Sequence, residues 1–313
     1  MPDGDGRVRL RARHLGQRTA AALDRGGPGR IGALFQRSFY VDLDETWICV
    51  GQDCMERGPL HLGCGLAEGL DWRASGLEIG LGCQAGPDGL RIGHRLRIET
   101  QDAEVWLPPQ APPWSRQDLA WGLEILEHQV AGNLPEEGLA GLLHTPSGGQ
   151  SPLLARARPV VARLRDWLTE AAAGDSHRNV PPLDGLVGAG PGLTPSGDDF
   201  VCGLLVGLHA LERGDLAGRV FAAVLPLFRT SGNPISTAHL LAAAEGAAAA
   251  PLHDALAALA AGCGRELPAA LKRLDATGHC SGWDALTGLV VALRAAAVAP
   301  HLAAHPRPSR DRP

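Results

Sequence analysis

Residues Pro108-Pro109-Gln110-Ala111-Pro112-Pro113 separate two parts of the chain that differ in hydrophobic periodicity. Before them, short segments such as 38–43 and 46–50 are rich in β-branched and aromatic residues and are bounded by Gly, Asp and Pro, which is typical of strands. After them, apolar residues recur every three or four positions, as in 119–130, which is typical of helices. The sequence therefore predicts an α+β fold, with a small antiparallel β-rich N-terminal part followed by an all-helical C-terminal domain.

The same stretch sets the predicted domain boundaries. We expect a β-rich domain over 34–110 and a helical domain over 111–300. The first 33 residues are rich in Arg and Gly, so we interpret 1–33 as a partly flexible N-terminal segment with a short helix near 15–23. The Pro- and Arg-rich end, 301–313, is predicted to be a disordered tail.

Composition argues against a nucleic-acid partner. The chain has 313 residues, of which 45% are hydrophobic and 20% charged, which is ordinary for a globular protein with a buried core. The formal net charge is −5, Lys272 is the only Lys, and the remaining basic residues are Arg scattered along the chain. Because there is no basic stripe with interleaved aromatic residues, we expect no binding to nucleic acid.

The hydropathy pattern predicts a cytoplasmic protein without a membrane segment. The longest apolar stretch, 285–298, is interrupted by Arg294 and is shorter than the roughly 18–20 residues that a membrane span needs. Residues 1–13 are polar and lack the apolar core of a secretory signal. The seven Cys show no CxxC spacing, so reduced thiols are a better interpretation than disulfides or a zinc site.

A Gly-rich segment, Gly188-Ala189-Gly190-Pro191-Gly192-Leu193-Thr194-Pro195-Ser196-Gly197-Asp198-Asp199, is the most informative part of the sequence. It contains four Gly and two Pro in twelve residues, and the apolar run 200–208 follows it. This pattern predicts a loop that leads into a buried helix, whose N-terminal N–H groups and dipole favour an anion. The segment is neither a Walker loop nor a dinucleotide fingerprint, because the G-K-[ST] sequence is absent and no parallel strand precedes it.

Part of this segment is repeated. Residues 196–203 and 281–288 both read S-G-x-D-x-x-x-G, 85 residues apart. The Ser and Asp have the spacing of a capping box, and the last Gly lies one turn after the Asp on the same helix face. We therefore predict that two helices cross near Gly203 and Gly288 and direct their N-termini to one point. The alternative is that the two motifs are independent helix caps.

A third helix start lies between the two copies. Asn233 is a good N-cap residue and Pro234 a good first helical residue, which places Ser236 and Thr237 in the first turn. Two His, at 239 and 279, fall in these motif regions, and for both a structural role is the alternative to a catalytic one.

Three segments together resemble the motifs of a known family. These are G-x-G-P-G-L-T-P-S-G-D-D at 188–199, N-P-I-S-T at 233–237 and G-H-C-S-G-W-D at 278–284. They are similar to motifs of the AllH family, long catalogued as a domain of unknown function, and the likeness extends over roughly residues 30–300. The family includes a subunit of oxamate carbamoyltransferase from anaerobic allantoin degradation, a part of purine catabolism.

The resemblance implies that the protein works with two larger subunits. Together they would interconvert oxamate and carbamoyl phosphate with oxalurate and phosphate. The positions that match the motifs then include Asp198, Asp199 and Asp284 as candidate catalytic residues. The candidate substrate- or anion-binding residues are Gly190, Gly192, Thr194, Ser196, Gly197, Ser236, Thr237, His279, Ser281 and Gly282.

Two other functions stay open at this point. One is a non-catalytic assembly or metabolite-sensing subunit, whose Gly-rich loop binds a metabolite or only packs. The other is a stand-alone enzyme on a phosphorylated small molecule, in which Asp198 or Asp199 holds Mg²⁺. No residue is assigned as a metal ligand, and Mg²⁺ is the one cofactor considered. Because the motifs contain no Arg, the usual phosphate clamp, a self-sufficient transferase is disfavoured.

Overall fold

The computed structural model describes residues 8–44, 46–65, 71–132, 134–144, 151–172 and 179–298. The predicted disordered tail at 301–313 lies outside these residues, as do residues 1–7 of the predicted N-terminal segment. The chain divides into two compact units, Met1–Pro108 and Pro109–Pro313. The first is built around one sheet and the second from helices, so the predicted α+β class is confirmed.

The first unit contains nine described strands and one α-helix. Strand order in the sheet is β5-β4-β3-β2-β6-β7-β8-β1-β9, and β1 also pairs with β5, which closes the sheet into a barrel-like form. The elements are β1 (Val8–Gly16), α1 (Gln17–Arg25), β2 (Gly27–Leu34), β3 (Ser38–Leu43), β4 (Thr46–Gln52), β5 (His61–Cys64), β6 (Gly82–Gly86), β7 (Gly89–Ile92), β8 (Leu96–Glu99) and β9 (Glu104–Trp106).

The prediction of a small antiparallel sheet is wrong in its detail, because the sheet is mixed. Strand β1 runs parallel to both β8 and β9, and β4 runs parallel to β5, whereas the other pairs are antiparallel. Parallel and antiparallel strands share the same two-residue alternation of side chains. Strand direction depends instead on which distant segments pair, and local sequence pattern does not contain that information.

The described part of the predicted N-terminal segment, residues 8–33, forms β1, α1 and most of β2 of the barrel. In β1 the side chains of Arg9, Arg11 and Arg13 are exposed, while Ala12 and His14 are buried. This two-residue alternation is a strand signal. The high Arg content of this stretch favoured the interpretation of a flexible segment over that of a strand, because Arg-rich termini are usually disordered. The predicted short helix near 15–23 corresponds to α1.

The described elements of the second unit are all helical, as predicted. The α-helices are α2 (Arg116–Val130), α3 (Pro152–Ala172), α4 (Ser196–Ala210), α5 (Gly214–Ser231), α6 (Pro234–Ala243), α7 (Ala250–Ala260), α8 (Leu267–Asp275) and α9 (Ser281–Val298). Helix α4 is buried on all sides over 196–208, which identifies it as the central helix of this unit. Helix α9 packs directly against it, and the two helices carry the two copies of the repeated motif.

Helix α9 is also apolar along most of its length. By length and composition alone Ser281–Val298 is able to span a membrane, with a mean hydropathy of 1.2, which the interruption at Arg294 had led us not to expect. However, 72% of this window is buried inside the protein, as in the core helix of a folded domain. Arg294 donates from Nη2 to the carbonyl oxygen of Leu143 at 2.6 Å, so its charged end is held by the backbone.

Candidate functional site

The two copies of the repeated motif meet where α4 and α9 cross. A Cβ atom placed on Gly203 would overlap the carbonyl oxygen of Ala285, and one placed on Gly288 would overlap the carbonyl oxygen of Phe200. Each glycine therefore lies directly on the backbone of the opposite helix. The predicted close crossing at these two glycines is confirmed, and the absence of a side chain at both positions is what allows it.

The two motifs do not form the predicted capping boxes. The N-cap residue of α4 is Pro195, which has no side chain able to cap, and Ser196 and Ser281 are already the first residues of their helices. Their hydroxyls instead point across the crossing. Ser281 Oγ lies 3.1 Å from Thr194 Oγ1, just before α4, and Ser196 Oγ lies 3.6 Å from Cys280 Sγ, just before α9.

Asp199 is held between the two helix starts. Thr194 Oγ1 donates to its Oδ2 at 2.9 Å, and the Ser281 hydroxyl is close enough to favour the charged form. Only 9% of Asp199 is exposed, and burial raises its pKa well above the ordinary value of 3.8. The hydroxyls act in the opposite direction, while the nearby Asp284 and Asp198 raise the pKa further. Asp199 is therefore a carboxyl whose environment favours the neutral form.

Asp284 occupies the equivalent position in the second motif and binds a different segment. Its Oδ1 accepts a hydrogen bond from the backbone N–H of Leu139 at 2.5 Å, and Gly138 leaves the space for this contact. The residue is completely buried, and burial raises its pKa. Ser196 and Cys280 are near enough to lower the pKa partly, yet Asp284 Oδ2 makes no hydrogen bond to any described residue that meets normal distance and angle limits.

Asp198 faces away from the crossing, towards α6. Its Oδ1 accepts from the backbone N–H of Gly188 at 2.7 Å, and its side chain lies near Ser236. Both residues are 1% exposed, and burial raises the pKa of Asp198. Ser236 influences this pKa, but within the described chain neither Asp198 Oδ2 nor Ser236 Oγ makes a hydrogen bond of normal geometry. Two buried polar atoms thus lie together without conventional partners, an arrangement that costs free energy.

The Gly-rich loop is held at both ends and is exposed between them. Asp198 binds Gly188, and Asn233 Nδ2 donates to the carbonyl oxygen of Leu193 at 2.7 Å. Residues 190–193 are exposed, and Gly190 and Gly192 have φ values of 107° and 111°, which favour glycine. The backbone N–H groups of 190, 192 and 193 donate to no described residue.

The first turns of the two helices offer few free donors. The N–H of Gly197 donates to the carbonyl oxygen of Ala189, and those of Asp198 and Asp199 donate to that of Pro195. In α9 the N–H of Asp284 donates to the carbonyl oxygen of Cys280. The sequence predicted free N–H groups at these helix starts, and those of Ser196, Ser281 and Trp283 donate to no described residue. Further unpaired donors lie in the loop that precedes α4.

The structure brings most of the predicted site residues together and leaves two apart. At the crossing lie Asp199 and Asp284 with Thr194, Ser196 and Ser281, whereas Asp198 lies with Ser236 on the side towards α6. Gly197 and Gly282 lie against the backbone carbonyls of Leu186 and Leu274. Gly190 packs over Ser196, and Gly192 is in the exposed part of the loop.

His279 and Thr237 do not join this group. The side chain of His279 is 78% exposed and pairs with Glu137 at 2.9 Å. Thr237 Oγ1 donates to the backbone carbonyl of Asn233, the N-cap residue of its own helix. His239 is not linked to the group by any described hydrogen bond, and burial lowers its pKa to about 4, so it stays neutral near pH 7.

Sequence reasoning missed Cys280 and Leu139 as neighbours of the site. Cys280 directly precedes the second S-G-x-D copy, so its position was a usable signal. Leu139 contributes only its backbone N–H, for which no sequence signal exists.

The three carboxyls are not arranged as metal ligands. Each accepts hydrogen bonds from a different segment: Asp198 from 188, Asp199 from 194 and Asp284 from 139. Among the residues that the structure describes, no group of three or more His, Cys, Asp or Glu is placed to hold a metal ion. Chemically, the site combines buried carboxyls that favour the protonated form with hydroxyl donors and exposed loop amides, a combination that suits hydrogen bonding to an anion.

Comparison with known proteins identifies the same region. A family model described as oxamate carbamoyltransferase subunit AllH matches residues 186–293. This span contains all three motifs, so the resemblance expected from them is confirmed over these residues. The match does not include the β-rich unit. No solved structure gives a significant match to the chain.

Proposed function

We propose that this chain is a subunit of an oxamate carbamoyltransferase-like complex, which interconverts oxamate and carbamoyl phosphate with oxalurate and phosphate. The observation that carries the proposal is the family match over 186–293, which includes the three motif segments 188–199, 233–237 and 278–284. A cytoplasmic location fits this proposal, since the seven cysteines are all unpaired. A role in allantoin degradation is part of the same proposal.

Within this complex, we assign the exposed loop 190–194 and its buried floor to the binding of a small anion such as carbamoyl phosphate or oxamate. The unpaired N–H groups of Gly190, Gly192 and Leu193 are donors for such an anion. Thr194, partly exposed at the end of the loop, adds a hydroxyl. Burial raises the pKa of the Asp198, Asp199 and Asp284 carboxyls, and a neutral carboxyl does not repel a phosphate group.

The lack of a positively charged side chain among the described residues of the site supports a subunit that needs a partner subunit for catalysis. Among the described residues, the side chains that contact the three Asp are Ser, Thr and Cys, and none is Arg or Lys. A phosphate in transfer develops charge that Arg, Lys or a metal ion normally stabilises. In this proposal a partner subunit supplies that cation, while this chain supplies the loop and positions it.

A non-catalytic assembly or metabolite-sensing subunit is the second candidate. The observation that favours it is that each Asp holds a separate segment of the unit, at 188, 194 and 139, which is what a structural role requires. A stand-alone Mg²⁺ enzyme has no comparable support, because the carboxyls of the described residues do not converge on one point.

Co-expression with the other subunits of a carbamoyltransferase complex is the decisive experiment. We expect a stable complex that forms carbamoyl phosphate from oxalurate and phosphate, with the chain alone inactive. Loss of activity without loss of assembly in Asp198→Asn supports the anion site. Full activity of the variant complex supports the assembly role instead, and turnover by the isolated chain contradicts both.

A further inference from the structure

The outer face of the barrel carries a row of arginines on three neighbouring strands. Arg91 of β7 lies opposite Arg97 of β8, and Arg97 in turn lies opposite Arg9 of β1. Paired residues of neighbouring strands share one face of a sheet, and Arg91 and Arg97 each lie between two buried residues, so the row points outward. Because neighbouring strands are about 5 Å apart, the three arginine positions follow one another at close spacing.

A fourth arginine extends the row along β1, and one acidic residue lies among the four. Arg11 is exposed and lies opposite Glu99 of β8. Glu99 Oε1 is 3.9 Å from Arg9 Nη1 and 3.6 Å from Arg97 Nε, so two guanidinium groups share one carboxylate. The side chains of Arg11 and Arg91 have no ion-pair or hydrogen-bond partner among the described residues. These four arginines and one glutamate carry a net charge of +3, in a chain whose formal net charge is −5.

This arrangement is unfavourable for the chain on its own. Like charges directly opposite each other on neighbouring strands are destabilising, and the row contains two such pairs, Arg91 with Arg97 and Arg97 with Arg9. The pairs lie at the surface, so salt reduces the repulsion but does not remove it at close range. Carboxylates placed over the row would replace repulsion by attraction, because a planar guanidinium binds a carboxylate through two parallel N–H groups.

We propose that this arginine face, formed by Arg9, Arg11, Arg91 and Arg97, is a docking surface for an acidic surface of another protein subunit. The outer face of a barrel suits a protein surface better than a small molecule, because small molecules bind in concave sites. Charge complementarity of this kind favours the correct partner and speeds its association. That the partner belongs to a carbamoyltransferase complex rests on the proposed function, whereas its acidic chemistry does not.

Two other occupants fit the arginine face less well. A two-fold dimer uses the same surface on both copies, so a dimer through this face would bring like charges together. Proteins that bind single-stranded nucleic acid stack bases on aromatic side chains, and β1, β7 and β8 contain no Phe, Tyr or Trp. The partner is therefore expected to present Asp and Glu side chains.

Binding of poly-L-glutamate to the full chain tests the charge of the occupant. We compare Arg11→Gln/Arg91→Gln with the control Arg37→Gln/Arg265→Gln, which neutralises two exposed arginines outside the three strands and gives the same net charge. At low salt we expect the first variant to bind at least about tenfold more weakly than the wild type, and the control to bind as the wild type does. Raising the salt should weaken wild-type binding, because salt screens exposed charges.

Thermal unfolding of the same variants separates lost binding from lost folding. Arg91→Gln removes the repulsion between Arg91 and Arg97, so Arg11→Gln/Arg91→Gln should unfold at a temperature no lower than the wild type does. Co-expression with the other subunits of the complex is the second binding measurement. We expect at least about tenfold weaker assembly for this variant and unchanged assembly for the control.

Several results would overturn the proposal. These are wild-type binding of poly-L-glutamate by Arg11→Gln/Arg91→Gln, normal assembly of that variant, tighter binding of duplex DNA than of poly-L-glutamate through the same residues, and self-association of the isolated chain through this face. If the wild-type chain does not assemble with the other subunits, the proposed function fails. The poly-L-glutamate measurement then still decides whether the arginine face binds acidic protein.

Discussion

Gly203 and Gly288 are equivalent residues of a repeated motif, and each lies against the backbone of the helix that carries the other. Gly203 meets the carbonyl of Ala285, which follows Asp284, and Gly288 meets the carbonyl of Phe200, which follows Asp199. The crossing is therefore symmetric in its contacts. The hydroxyls of the two motifs follow the same symmetry, since each Ser points to the start of the opposite helix.

We predict that Gly203→Ala and Gly288→Ala each destabilise the helical unit. The added methyl group would overlap a backbone carbonyl oxygen, and backbone is unable to move aside as a flexible side chain does. Overpacking of this kind costs about 1–3 kcal/mol or more in the free energy of unfolding. Chemical denaturation measures the effect.

A matched control for these variants is Gly218→Ala in α5. A methyl group on Gly218 meets no atom within 4 Å, so the higher helix propensity of Ala should stabilise the unit by about 0.5–1 kcal/mol. In the double variant Gly203→Ala/Gly288→Ala, the measured loss in the free energy of unfolding should be smaller than the sum of the two single-variant losses. Both substitutions force apart the same pair of helices, so the second adds less than the first. Two fully stable single variants would show that the crossing adapts.

Asp198→Asn should impair the function of the complex while changing stability little. The Asn side-chain oxygen still accepts from the N–H of Gly188, and its amide group lies near Ser236, whose hydroxyl is able to accept a hydrogen bond. Because Asn is unable to take up or release a proton, we expect carbamoyl-transfer activity to fall at least about tenfold if the Asp198 carboxyl exchanges a proton during the reaction, and the free energy of unfolding to change by less than about 1 kcal/mol. Asp215→Asn, which alters a surface ion pair with Arg213, is the control. If activity is unchanged, Asp198 acts only as an anchor for the loop.

Asp199→Asn should make stability less dependent on pH. Burial raises the pKa of Asp199 above 3.8, so the folded state binds its proton more tightly than the unfolded state does. Stability from this group is therefore present below pH 3.8 and is lost as pH rises through the raised pKa. Asn does not ionise, so the variant should gain stability relative to the wild type as pH increases. Denaturation at pH 4.5, 6.0 and 7.5 measures this, and a constant difference would mean that Asp199 ionises as freely when folded as when unfolded.

A buried histidine pair in the barrel should make stability depend on pH in the opposite direction, with a loss as pH falls. His14 Nε2 and His61 Nδ1 lie 3.1 Å apart, and both residues are at most 5% exposed. Burial lowers the pKa of His14 and lowers that of His61 to about 3. The contribution of these histidines to the stability of the β-rich unit is thus fully present above pH 6.5 and is lost as pH falls. For His61 the loss in the free energy of unfolding is about 2 kcal/mol between pH 6.5 and 5.

Thermal unfolding of His61→Gln checks this pH dependence. The slope of stability against pH between 5 and 7 should decrease in His61→Gln and stay unchanged in His94→Gln, which alters an exposed histidine of the same unit. An unchanged slope in His61→Gln would show that the pair takes up protons without unfolding the barrel.

Local patterns in the sequence were sufficient to predict the order of the elements and one tertiary contact. Helices such as α2 and α3 have an apolar repeat that local periodicity reveals. The crossing was predictable because Gly203 and Gly288 recur at the same position of a repeated motif, and a glycine one turn after a polar residue marks a close approach.

Chain direction in the sheet was not predictable in this way. The parallel pairing of β1 with β8 and β9 joins residues 88 and 90 positions apart, as in Val8 with Leu96 and His14 with Glu104. None of these strands differs in its side-chain alternation from an antiparallel strand. The sequence therefore predicted the helices of the second unit better than the strand directions of the first.

By itself, the sequence determined the α+β class, the positions of the helices and the two glycines at which α4 and α9 cross, because these depend on periodicity and on the sizes of residues at fixed spacings. Only the tertiary structure decided the partner of each polar group. Asp199 faces Thr194 and Ser281 instead of capping its own helix, and Asp284 holds the backbone of Leu139. A buried carboxyl takes whichever donor the packed chain places within about 3 Å. That distance depends on how distant segments pack, and not on their spacing along the chain.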